Sequence, residues 1–179
     1  MARDLPFSIQ LHSARLFPPV TDHLPRLAAL GYTNVEPTDI LYDDPSALRE
    51  TLDESDLTAL SGHFSLHVLE GDPDAACRIA ETLGMRLLVC PFIPVEVRPV
   101  VTDEWRRFGD RLATIARLLR SRGFDFAWHN HDYEFRPLRD GSMPIQHIAA
   151  DPAVYLQVDL AWVALAGIDP QPWLEGYAG

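Results

Sequence analysis

Strand-like and helix-like patterns alternate about six times along this chain, and that alternation restricts its fold more than any single motif does. Pro6 to Leu11 sets Phe7, Ile9 and Leu11 against Ser8, Gln10 and His12, the period-two pattern of a first strand. Pro18-Pro19 breaks it, Thr21 or Asp22 is placed to cap a helix, and Leu24, Leu27 and Ala28 recur at helical spacing up to Gly31, with Pro25 in the first turn. Thr33 to Glu36 reads as a second strand, Ser46 to Leu52 as a short helix and Leu57 to Ser65 as a third strand. Asp72-Pro73 is a cap followed by a proline that the first helical position tolerates. Ala76, Ile79, Ala80 and Leu83 then face inward until Gly84. Arg86 to Phe92 is a continuous apolar strand of the kind buried on both faces.

The clearest helix begins at Thr102, which is placed to cap it. Trp105, Phe108, Leu112, Ile115, Ala116 and Leu119 make one stripe, arginines surround it, and Gly123 follows the end. Phe126 opens the fifth strand, a helical turn is expected over Pro144 to Ala149, and Asp151-Pro152 turns the chain into a sixth strand, Val154 to Asp159. Pro170 to Tyr177 reads as a last short helix. Such alternation means parallel strands joined by right-handed crossovers. An open doubly wound sheet and a barrel satisfy the pattern equally well. No shift in composition marks a linker, so one domain over residues 1–179 is expected.

Composition narrows the function. With 47% hydrophobic and 23% charged residues, the chain is an ordinary globular protein. Its net charge of −11 and pI near 4.9 oppose a general affinity for nucleic acid. All 15 strongly basic residues are arginine, which excludes a Schiff-base lysine. Cys77 and Cys90 have no metal or redox spacing. No apolar leader follows Met1 and no run is long enough to cross a bilayer, so a cytoplasmic protein without a membrane partner is expected.

Chemistry concentrates in Phe126 to Phe135, Phe-Ala-Trp-His-Asn-His-Asp-Tyr-Glu-Phe. On an extended segment Phe126 and Trp128 share one side, while Ala127, His129 and His131 share the other, the two imidazoles roughly 7 Å apart. Imidazole is the common neutral metal ligand and the side chain best suited to proton transfer near neutral pH. Asn130, His131, Asp132 and Glu134 are poor strand formers, and such local inconsistency is expected where function sits. A polar loop leaving a strand is the plainer alternative.

This segment resembles the Tyr-His-Asn-His-Asp-Phe-Glu-Phe signature of the sugar phosphate isomerase/epimerase group, within the xylose-isomerase-like TIM-barrel superfamily. Trp128 and Tyr133 are its aromatic-for-aromatic departures. Gln10 to Arg15 resembles that group's Gln-Leu-Tyr-Ser-Val-Arg, and Gly31 to Glu36 its Gly-Tyr-Lys-x-Val-Glu. Asp159-Leu160-Ala161-Trp162-Val163 with Ala166 to Pro170 resembles its Asp-x-x-Trp-Val-x-x-Ala-Gly-x-Asp-Pro. The matches run in order along nearly the whole chain. The resemblance implies a TIM barrel with about six of the eight strand–helix units, the last two lacking, since a full barrel takes about 250 residues.

In such barrels reactive groups sit at the carboxyl ends of strands. The ends here carry His12, Glu36, His63, His129, His131 and Asp159. The resemblance implies a divalent ion (Mn, Mg, Co or Zn) on Asp159, with His129 at a second ligand position where most of the superfamily has a carboxylate. It also implies His131 as a proton shuttle or substrate contact and Trp162 as an apolar wall for a sugar ring. Placement at strand ends makes His12 and His63 candidate substrate contacts, and Glu36 and Glu134 are the carboxylates near enough in the pattern to be candidate bases. The expected function is metal-assisted proton transfer on a carbohydrate or polyol through an enediolate. A metal-dependent hydrolase or lyase on the same scaffold and a non-catalytic sugar-binding relative are the alternatives. Open sheet edges lead to an expectation of self-association.

Overall fold

The structure, a computed structural model, describes residues 7–177. The chain divides into two compact units, residues 1–88 and 89–179. Pro6, the expected start of the first strand, lies outside the described residues.

In the first unit β1 (Ser8–Gln10), β2 (Asn34–Glu36) and β3 (Thr58–Ala59) form a parallel sheet in that order. The register sets Gln10 opposite Glu36 and Val35 opposite Ala59. Between them run α1 (Leu24–Ala29) and α2 (Pro45–Glu54), the latter capped by Asp44, whose Oδ1 accepts from Ala47 N. Neither Thr21 nor Asp22 caps α1: both lie in a 3₁₀ turn, Val20–His23, that leads directly into it. The strand expected over Leu57 to Ser65 is broken at Leu60 into β3 and β4 (Ser61–His63). The Leu60 carbonyl accepts from Arg86 N and Leu87 N, so the chain leaves the β2 ladder there. At Gly62 a Cβ would fall inside contact distance of the Tyr42 hydroxyl and the end of the Met85 side chain, so any larger residue requires those tips to move.

A short helix that the sequence reading lacks, α3 (Leu66–Gly71), starts at Ser65 and precedes α4 (Pro73–Leu83). Asp72 caps α4, accepting from Ala75 N, and Gly84 ends it in the left-handed conformation at φ 77°. Ala76, Ala80 and Leu83 are buried and Ile79 half-buried.

β5 (Leu87–Cys90) carries the chain onward. In the second unit α5 (Thr102–Ser121) buries all six residues of its expected stripe, Trp105 through Leu119. Thr102 is not its cap. The Thr102 hydroxyl donates to Asp140, while the Glu104 carboxylate accepts from Val100 N and Val101 N, the reach-back half of a capping box. α6 (Pro144–Ile148) crosses α5 at Gly109, where a Cβ would fall far inside van der Waals distance of the His147 carbonyl oxygen. Beside them β6 (Asp125–His129) pairs in parallel with β7 (Tyr155–Gln157), His129 opposite Gln157. The sixth strand therefore ends two residues before Asp159, which instead begins a further helix, α7 (Leu160–Leu165), ahead of α8 (Pro170–Tyr177). No helix among the described residues is long and apolar enough to cross a membrane.

Candidate functional site

The β6–β7 register creates the core of the site. His129 and Gln157 stand side by side as the last rung of the ladder, and His129 Nδ1–H donates to Gln157 Oε1 at 2.9 Å. That bond fixes the imidazole plane and turns Nε2 toward Asp159, whose Oδ2 lies 3.7 Å away. Asp159 is held from two sides. Its Oδ1 accepts from Ala161 N (2.9 Å) and Trp162 N (3.2 Å) at the start of α7, while its backbone N–H and C=O are both bound by the side chain of Asn130.

His131 completes the group. Its ring stacks on Tyr133 at 5.8 Å, meets the indole of Trp162 at 5.0 Å and the edge of His129 at 5.5 Å. Burial, reinforced by the neighbouring His129 and Arg98, pushes the imidazole down to about 4, although Asp159 and Asp132 pull the other way. His131 is thus neutral near pH 7. Its Nδ1 is buried without a hydrogen-bond partner among the described residues. His129, His131, Asp159 and Trp162 are accordingly brought together at the carboxyl ends of β6 and β7.

Glu134 sits elsewhere. Fully buried, it accepts from the Trp128 indole N–H at 3.0 Å through Oε1 and from His131 N at 2.8 Å through Oε2. Burial raises its carboxyl above the ordinary range, against the pull of those hydrogen bonds. With both oxygens engaged, Glu134 shapes the turn that carries His131 and does not open onto a cleft as a base.

The first unit has its own polar group at strand ends. Glu36 Oε1 accepts from Gln10 Nε2 (2.9 Å) and His63 Nε2 (3.0 Å), and Oε2 from the Ser61 hydroxyl. Burial alone would raise this carboxyl, but the bonds and charge from His63, with those from Gln10 and Ser61, hold it at about 2. An ionised carboxylate so fully engaged is a poor proton acceptor, which corrects the expectation of Glu36 as a base. His63 is buried against it, its backbone N–H on the Pro37 carbonyl, and is no loose surface histidine. His12 is exposed on a 3₁₀ turn after β1 and is lowered by partial burial, Arg15 and His63.

For a divalent ion the second unit offers two facing donors, His129 and Asp159. Among the described residues no group of three or more His, Cys, Asp or Glu side chains is arranged to hold a metal, whereas catalytic sites usually supply three protein ligands. The described residues therefore do not fit a complete metal site. Asn130 stands out in the sequence only as one of the poor strand formers after Trp128, with no role attached, and Gln157 and Gln10 carry no signal beyond a polar side chain at a strand end, because amides make no charge pattern.

No family model matches the chain, and no curated protein matches it. Solved structures do. A sugar phosphate isomerase/epimerase from Parabacteroides distasonis superposes with a TM-score of 0.81 at 20% identity, over 96% of this chain and 71% of that one. An AP endonuclease, family 2, from Brucella melitensis gives 0.66 at 15% identity, over 87% and 69%. A xylose isomerase-like TIM barrel protein from Mycobacterium smegmatis in complex with magnesium gives 0.60 at 17% identity, over 88% and 65%. Parallel strands alternating with helices, matched by these structures over most of this chain but only part of theirs, make this an incomplete TIM barrel of the xylose-isomerase-like fold.

Proposed function

We propose that this chain binds a carbohydrate or polyol at the carboxyl ends of β6 and β7 and moves a proton at a carbon next to its carbonyl group, the chemistry of a sugar isomerase or epimerase. The observation that carries this reading is the convergence of a neutral imidazole, His131, with the His129–Asp159 pair and the Trp162 ring. A neutral imidazole can accept a proton from carbon, leaving an enediolate, and return it to the neighbouring carbon as the hydroxyl proton passes between the two enediolate oxygens; inversion at the same carbon needs a second proton donor on the opposite face. Trp162 offers an apolar wall to a sugar ring, and Asp159 can accept hydrogen bonds from its hydroxyls. The fold likeness to the Parabacteroides distasonis sugar phosphate isomerase/epimerase supports the reaction class. The two-donor set favours one alternative, a sugar-binding relative without turnover.

The test is proton NMR in D₂O with a panel of aldoses, ketoses and their phosphates. Solvent deuterium is expected at a carbon adjacent to the carbonyl with the wild-type chain and not with His131→Gln or Asp159→Asn. Binding without exchange would establish the alternative, and exchange surviving His131→Gln would remove His131 from the chemistry.

A further inference from the structure

Beyond His129 and Gln157 the β6–β7 ladder has no further rung. The next tie between the two segments is a side chain. Asn130, 1% exposed, accepts from Asp159 N through Oδ1 at 2.9 Å and donates from Nδ2 to Asp159 O at 3.1 Å. Its amide thus stands in for a backbone rung. Three features of the site start from the residue so anchored: Asp159 Oδ1 caps α7, α7 carries Trp162 to within 5.0 Å of the His131 ring, and Asp159 Oδ2 lies 3.7 Å from His129 Nε2.

We infer that Asn130 is a positioning residue for the site, setting at once the carboxylate that faces His129 and the indole that faces His131. Resting on the proposal that these groups meet substrate, the inference adds how they are held there. Donor and acceptor side by side on one planar group are required: an amide carries both on a single carbon, whereas a neutral imidazole carries them on different edges of its ring, and Gln is one methylene too long for a pairing this tight. Aspartate would keep the bond from Asp159 N but set an acceptor against the Asp159 carbonyl. Serine cannot span both groups at once. A residue that merely stabilised β6 against β7 would leave the orientation of the two rings unchanged.

The experiment compares the full chain with Asn130→Asp and Asn130→Ser at one neutral pH, reading the ring nitrogens and protons of His129 and His131 and the Trp162 indole by NMR. Ile148→Val, a core change in α6, serves as the control for lost stability alone. Displaced His129 and Trp162 resonances are expected in both Asn130 variants, with the control like wild type. Folded Asn130 variants whose rings are unmoved would overturn the inference. Should neither variant fold, the wild-type chain decides: slow solvent exchange of the Asn130 amide protons supports the clamp, and exchange at the rate of an exposed asparagine removes it. A chain that catalyses no deuterium exchange yet shows the displaced resonances would discard the proposed reaction and retain Asn130 as the positioning residue.

Discussion

The guanidinium of Arg98 lies 3.4 Å from the centroid of the Tyr133 ring. Tyr133 is stacked on His131, and His131 meets Trp162, so four side chains form one pile that keeps the imidazole half-buried and neutral. A histidine lowered from 6.5 to about 4 binds its proton more readily in the unfolded chain. Stability should therefore fall as pH drops from about 6.5 to about 4 and level off below, since protonation then costs both states equally. Urea denaturation of wild type and His131→Gln across this window checks it: the variant should lose that slope, and an unchanged slope would place its source in another group.

Glu36 should act in a lower window. Its carboxyl is depressed from 4.5 to about 2, so its contribution to stability is complete above about 4.5 and lost as pH falls toward 2. The shift corresponds to on the order of 3 kcal/mol at neutral pH. Glu36→Gln, which sets an amide donor against Gln10 and His63, should lower stability by a comparable amount at pH 7 and by little at pH 2. Equal losses at both pH values would mean that packing, and not charge, sets the effect.

At Gly109 α5 packs directly against the backbone of α6. A methyl group there would meet the His147 carbonyl, a backbone atom that cannot swing aside. Gly109→Ala, stabilising on an exposed helix, should here destabilise by about 1–3 kcal/mol, the usual range for overpacking. Thermal unfolding reads the sign, and a raised midpoint would show that α6 can shift.

Among the described residues β1 stands at the end of its sheet, next to an apolar cavity of about 370 Å³ lined in part by the exposed side chains of Phe17 and Leu30, with exposed Phe7 just before the strand. Unpaired strand edges flanked by apolar surface favour association. Sedimentation at micromolar concentration is expected to show species larger than a monomer, against the dispersing effect of the net charge of −11. A single monomeric species would refute this.

What the sequence determined by itself is local. Helical spacing placed the buried stripe of α5, Asp72-Pro73 and Gly84 bounded α4, and alternation located the strands, because each signal depends on neighbours within a turn or a pleat. The crowding of polar groups after Trp128 likewise marked the chemical end of β6. Tertiary structure decided the partners. Register set Gln10 beside Glu36 and Gln157 beside His129, turning an expected base into a fixed carboxylate and orienting an imidazole. Burial made Glu134 a clamp, and a side chain 29 positions away fixed the backbone of Asp159. Pairings across such separations depend on how strands align, and alignment is a property of the assembled sheet that no local pattern encodes.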